Sequence, residues 1–189
     1  GPVAAVLMST ERDFSAGSDQ LLALDRLLGS VNRTTHPWLL FGGHRPMYVD
    51  VTGHVPSAGP LQRLVEPLLL RHRVDVAIWG HHHSYQRSCP MAYGRCVQHA
   101  SDHQRTRGSQ GQPPLRLGQQ WGVTHLVVGT AGYEFSEVAS PAEQQGWVAF
   151  VNNTRYGFGA IDANLSALRF AFVRSDGAGI LDEVTLRRA

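Results

Sequence analysis

The chain has no lysine: all seventeen of its basic residues are arginine, set against fifteen acidic ones for a formal net charge of +2 in 189 residues. Arginine suits bidentate phosphate binding, but a bias this uniform points to genome composition more than to a ligand-binding face. No concentrated basic field arises, which sets a nucleic-acid partner aside. Long apolar runs are missing as well. None reaches the roughly 18 to 20 residues of a membrane span, so no membrane partner is expected. The start, Gly1-Pro2-Val3, is not a charged region followed by an apolar segment and a cleavage site. With 42% apolar and 17% charged residues, disorder and coiled coil are excluded, and one ordinary globular domain is implied.

Cysteine is scarce too. Cys89 and Cys96 flank Pro90-Met91-Ala92-Tyr93-Gly94-Arg95, a stretch that could close a small loop or leave two free thiols. Three glycosylation sequons, at Asn32, Asn152 and Asn164, favour an oxidising route. They point to a Cys89–Cys96 disulfide, a glycoprotein, and a secreted, extracellular or vacuolar location.

What is present is an alternation of strand and helix signals. Val3 to Ser9 and Trp38 to Phe41 are short apolar runs suited to buried strands, the second stopped by Gly42-Gly43. Between them Ser18 can cap a helix whose apolar face is Leu21, Leu24, Leu28 and Val31. Leu61, Leu64, Val65, Leu68 and Leu69 predict an amphipathic helix over Pro60 to His72, bent at Pro67. Val74 to Trp79 is the next strand, and the strand, helix, strand order predicts an α/β core. Gln98 to Gln120 lacks periodicity and reads as a long mobile loop. His125 to Val128 is a further strand. Phe158 to Ala163, Leu168 to Val173 and Ile180 to Leu186 read as a closing antiparallel meander.

Chemistry gathers after two of these strands, in Gly43-His44-Arg45-Pro46 and Gly80-His81-His82-His83, where α/β sheets place ligands. In extended backbone His81 and His83 point one way and His82 the other. Neutral imidazoles suit transition metals, and His44 could add a third nitrogen. The competing reading of three consecutive histidines is a solvated polar turn.

Met8-Ser9-Thr10-Glu11, Gly17-Ser18, Gly43-His44-Arg45-Pro46-Met47-Tyr48, the Gly80 to Pro90 segment, Cys96, Gly129-Thr130-Ala131-Gly132 and the tail from Tyr156 to Leu186 together resemble plant-type purple acid phosphatases, within the calcineurin-like metallophosphoesterases. The resemblance covers nearly the whole chain. It implies phosphomonoester hydrolysis at a binuclear centre of Fe(III) and a divalent Zn, Mn or Fe. Carried over by residue, His44 and His81 would ligate the divalent ion and His83 the ferric ion. His54 would contact the substrate phosphate or protonate the leaving group, and a solvated loop histidine is the alternative there. Arg45 could bind phosphate or form a salt bridge that holds its loop. Tyr85 and Arg87 would brace the histidine loop.

The family also requires Asp-x-Gly, Gly-Asp-x-x-Tyr and Gly-Asn-His motifs, and this chain contains none of them. The expectation is therefore that residues 1–189 form the C-terminal portion of an αββα metallophosphoesterase sandwich with a closing β meander. The rest would lie on the same or another chain, be cleaved off, or never have been encoded. Three hypotheses follow: the histidine half of a phosphatase, not competent alone; a metal-binding pseudoenzyme; or a phosphodiesterase relative.

Overall fold

The computed structural model describes residues 1–51, 55, 57–97 and 121–188. The segment expected to be a mobile loop, 98–120, lies outside these, as does His54. The elements are β1 (Val3–Leu7), α1 (Asp19–Ser30), β2 (Trp38–Gly43), α2 (Ala58–Leu64), α3 (Glu66–Arg71), β3 (Val76–Trp79), β4 (Tyr85–Ala92), β5 (Arg95–Cys96), β6 (Val123–Val128), β7 (Val148–Asn152), β8 (Gly157–Ala163), β9 (Ala167–Arg174) and β10 (Ile180–Arg187).

Helix α1 begins where its cap was expected: the Ser18 hydroxyl accepts from the Leu21 amide at 3.3 Å, and Leu24 and Leu28 are buried. The second helix is interrupted at Val65, leaving α2 and α3 with Pro67 in the first turn of α3. Proline is tolerated there because a first-turn amide has no intrahelical partner.

Strands β1, β2, β3 and β6 run parallel, and β4 joins β6 antiparallel. The far side of β4 pairs with β7 over its first half and with β5 over its second. Strands β8, β9 and β10 form a separate antiparallel sheet.

Three layers result. Alternate residues of β2 point to opposite faces. Leu39 and Phe41 join Leu24, Leu28, Leu61, Val65 and Leu69 under the helices. Trp38 and Leu40 join Leu168, Phe170, Phe172, Val184 and Leu186 against the second sheet. The expected α/β fold with a closing meander is observed. One expectation needs correction: β1 is an edge strand rather than a buried one, and its Leu7 is 76% exposed.

The layers are joined by buried polar groups. Arg87 forks onto Asp182 with Nε at 2.7 Å and a terminal nitrogen at 2.8 Å, and the Tyr85 hydroxyl donates to the same carboxylate at 2.6 Å. The Tyr85 ring lies over Phe172, centroids 4.2 Å apart. Asp75 accepts from Arg33, Arg188 and the Leu39 amide. Cys89 and Cys96 form the expected disulfide, their Cα atoms 5.7 Å apart, across the β4–β5 hairpin.

Removing the Arg87 charge strands a buried carboxylate. Arg87→Met is expected to cost about 3–5 kcal/mol, read as a fall in the denaturant midpoint. A loss of less than about 1 kcal/mol, typical of an exposed pair, would deny the contact its role.

A second prediction concerns pH. His125, buried on β6 with Nδ1 accepting from the Trp79 indole at 3.0 Å, is held down to about 3 by burial, against an ordinary 6.5. Unfolding lets it take a proton that the folded core refuses. Its contribution is therefore complete above pH 6.5 and is lost as pH falls toward 3. Over that interval the melting temperature of the parent should fall more steeply than that of His125→Gln; parallel profiles would remove His125 from the acid response.

Candidate functional site

Each parallel strand delivers one loop to the C-terminal edge of the sheet. Thr10 and Glu11 follow β1, His44 and Arg45 follow β2, His81 to His83 follow β3, and Gly129 to Ser136 follow β6. The β2 loop is anchored from beneath. The buried Tyr48 hydroxyl donates to Glu66 at 2.8 Å, the Gln62 amide donates to the Met47 carbonyl at 3.1 Å, and Gln86 exchanges two hydrogen bonds with Asp50. Burial raises the carboxyl pKa of Glu66 and of Asp50.

The histidine loop is not extended. The His82 amide bonds the Gly80 carbonyl at 2.7 Å and the Ser84 amide bonds that of His82 at 2.8 Å, two successive three-residue turns with His81 at φ +61°. That left-handed conformation costs a non-glycine residue energy. It turns the His81 ring onto His44, where His81 Nδ1 lies 3.1 Å from His44 Nε2. The alternation expected of a strand is therefore replaced by turn geometry. His82 still goes elsewhere, its Nδ1 2.8 Å from the Ser84 hydroxyl, and burial pushes it down to about 4.

His83 is held separately. Its Nδ1 lies 2.9 Å from the Glu134 carbonyl, its amide donates to the Ser136 hydroxyl at 3.0 Å, and its ring meets Tyr133 edge-on at 5.0 Å. The expected meeting of three imidazoles is thus seen for two. Among the described residues, no three His, Cys, Asp or Glu side chains are grouped as a metal site requires.

Donor rules fix the protons. A carbonyl can only accept, so His83 carries its hydrogen on Nδ1 and leaves Nε2 with a lone pair, the arrangement usual in metal-ligating histidines. Arginine can only donate, so Arg45 Nη1, 3.3 Å from His81 Nε2, makes that nitrogen an acceptor and puts the His81 hydrogen on Nδ1, facing His44. The 3.1 Å separation of the pair is that of an ordinary N–H···N hydrogen bond. Among the described residues neither a third ligand nor the bridging carboxylate of a two-metal centre is grouped with it.

Arg45 forms the salt bridge that its sequence context allowed: its Nε donates to Glu11 at 2.8 Å. Thr10 completes the arrangement, accepting from the Arg45 amide at 2.9 Å and donating to Glu11 at 3.0 Å. Hydrogen bonds from Arg45, then Thr10, hold the Glu11 carboxyl below its ordinary range. Burial first, then the Arg45 charge, lowers His81.

With this geometry in view, residues 5–85 match the family model of calcineurin-like phosphoesterases, and residues 122–183 match that of iron/zinc purple acid phosphatase-like protein C. A purple acid phosphatase from yellow lupin seeds superposes with a TM-score of 0.80 at 25% identity, covering 97% of this chain and 31% of that one. The chain belongs to the purple acid phosphatase family. Among curated relatives, a "probable inactive purple acid phosphatase" of Arabidopsis thaliana is 30% identical over 95% of the chain, and a "nucleotide pyrophosphatase/phosphodiesterase" of Hordeum vulgare is 27% identical over 95%. The chain spans 28% of the first relative's length and 46% of the second's.

Two contributors carried no legible sequence signal, the Glu134 carbonyl and the Ser136 hydroxyl; Gly129 stood in a motif of the family resemblance, and the structure shows what it does there. A Cβ on Gly129 would lie 2.0 Å from the His82 carbonyl oxygen, an approach only glycine allows. Gly129→Val is expected to displace the His82–His83 turn and cost about 1–3 kcal/mol. Shifts in the His83 ring resonances and a lower melting temperature would register it; a variant with unchanged His83 signals would show that this approach does not set the loop.

Proposed function

We propose that the chain supplies the histidine half of a purple acid phosphatase centre for phosphomonoester hydrolysis and is the C-terminal portion of that catalytic domain. In this reading His44 and His81 hold the divalent ion, Zn, Mn or Fe, and His83 holds Fe(III). The observation that carries it is the meeting of His44 and His81, Nε2 and Nδ1 3.1 Å apart, at the C-terminal edge of a parallel sheet. The His83 ring, oriented by the Glu134 carbonyl, supports it further. The exposed edge of β1 is where the missing half-sheet, on the same chain or another, would add its strands.

Bound metal ions would supply Lewis-acid polarisation of the ester phosphate. The protein's own groups do the rest. The Arg45 guanidinium, anchored on Glu11, is the cation at hand for a phosphate oxygen. His54 is the proposed contact for the phosphate and proton donor to the leaving group. Glu134 and Ser136 keep the His83 ring and backbone in register.

The disulfide supports an oxidising compartment and thereby secretion or vacuolar delivery. Asn32 and Asn164 are exposed and Asn152 is half-buried, so glycans are proposed first at the former two.

A pseudoenzyme reading has its own support: the Arabidopsis relative is named inactive, and Arg45 stands against the imidazole pair. The name of the barley relative keeps a diester-cleaving role as the comparison substrate.

Residues 1–189, supplied with iron and zinc, should turn over a chromogenic phosphomonoester negligibly at acid pH and should remain colourless, since no phenolate ligand of iron is present in the motifs. Robust turnover that His81→Ala abolishes, in a sample with no second chain, would contradict the half-site reading. Faster cleavage of a diester than of the monoester would favour the phosphodiesterase role.

A further inference from the structure

Tyr48 fastens the β2 loop from inside the molecule, and its hydroxyl is shared with a distant turn. That turn is the tip of the β4–β5 hairpin, at the other end of β4 from the histidine loop. Tyr93 and Gly94 both take left-handed backbone there, with φ +51° and +77°, the arrangement of a tight two-residue hairpin turn. Their amides meet two buried acceptors: Tyr93 donates to Glu66 at 2.9 Å and Gly94 to the Tyr48 hydroxyl at 2.8 Å. The Tyr48 hydroxyl in turn donates to the same Glu66 oxygen at 2.8 Å. Glu66 is 1% and Tyr48 5% exposed, so solvent does not stand ready to replace a lost partner. One carboxylate oxygen thus ties the hairpin tip to the loop that carries His44 and Arg45.

The hairpin itself is short. Strand β5 has two residues and pairs with β4 at Met91–Cys96 and Ala92–Arg95, extended by a bond from the Val97 amide to the Pro90 carbonyl at 2.8 Å. So short a ladder is marginal by itself, and the Cys89–Cys96 disulfide closes it covalently, removing open conformations of the tip. Both cysteines are half-buried, within reach of a small reductant.

We infer that Glu66 is a positioning residue for the β2 loop and that the Cys89–Cys96 crosslink acts on the site through it. The closed hairpin presents two amides, Glu66 and Tyr48 accept them, and Tyr48 thereby holds Met47 to Asp50 in the place that sets His44. This deepens the half-site reading and rests on it for its bearing on function. A dithiol opens the crosslink by exchange: the S–S bond breaks, two cysteine thiols form, and the reagent gives up two electrons and two protons as it closes to its own cyclic disulfide. The opened tip releases Glu66 and Tyr48, and the β2 loop loosens at the far end of the same chain of bonds.

The test is amide hydrogen exchange on residues 1–189, oxidised and reduced, as parent, Cys89→Ser/Cys96→Ser, Glu66→Met, Glu66→Gln and Tyr48→Phe. It is followed at the Arg45, Asp50 and Gly80 amides, which donate to the Thr10 hydroxyl, to Gln86 and to the His44 carbonyl, so their protection reports the β2 loop itself. The His44 ring resonances are recorded alongside, and melting temperatures show which variants are folded.

Reduction, or the cysteine double variant, should speed exchange at the three amides about three- to tenfold, the loss of one hydrogen bond. The His44 ring signals should shift with it, while the β9–β10 amides stay unchanged. Tyr48→Phe keeps the ring and should do the same. Glu66→Gln, which retains an oxygen acceptor, should keep the slow exchange that Glu66→Met loses. In Glu66→Met or Tyr48→Phe reduction should then add little at these amides, because the link is already cut. If Glu66→Met does not fold, Tyr48→Phe and the reduced parent decide. A reduced parent whose three amides exchange as before, faster exchange in the β2 loop and β9–β10 alike, or full additivity of reduction with Tyr48→Phe overturns the inference. If the coupling is found while His44 and His81 bind no metal, the inference stands and the half-site reading falls.

Discussion

Strand β4 runs from the histidine loop into the interface between the two sheets, and there Arg87 forks onto Asp182 of β10 while Tyr85 donates to the same carboxylate. The pair is buried, so its charges have given up water, and only two guanidinium bonds and a phenol bond on one carboxylate make that tolerable. The constraint it imposes is geometric. Tyr85 and Arg87 fix the first residues of β4 against the second sheet, and the turns carrying His81 to His83 end one residue earlier, at Ser84. Gly129 then lets β6 approach the His82 carbonyl. The loop is thereby clamped downstream by an ion pair, upstream by β3, and from the side by a glycine, which lets His81 hold its left-handed backbone.

Much of this was legible because local chemistry and global packing agree. Ser18 and the leucines of α1 specify a capped amphipathic helix whatever it packs on, and the alternation within Trp38 to Phe41 serves two apolar layers at once. Strand β4 was opaque for the opposite reason. Gln86, Arg87 and Ser88 look like loop residues, yet each is buried and satisfied by a partner distant in sequence: Asp50, Asp182 and the His125 amide. Strand β7 was missed beside it, since it pairs only with β4. The apolar run of β1 suggested burial, but among the described residues β1 pairs on one side only, with β2.

The site was legible as residue types and not as geometry. His44, His81 and His83 were found by position after strands, and family resemblance assigned their roles. The way His81 turns depends on two three-residue turns that the sequence Gly-His-His-His does not announce. Nor does it announce that a backbone carbonyl orients His83, or that a glutamate thirty-four residues before Arg45 aims it. Such contacts are made by chain reversal at the sheet edge, where four loops meet that share no local pattern.

The proposed half-site holds one divalent ion, at His44 and His81, and becomes a two-metal centre only with the rest of the catalytic domain. Anomalous diffraction at the zinc edge from crystals of the zinc-soaked chain tests it most directly. A half-site gives a single strong peak in contact with the ring nitrogens of both His44 and His81. Two peaks within a few ångströms of each other and sharing His83, or a zinc bound firmly elsewhere with nothing at the pair, would contradict it.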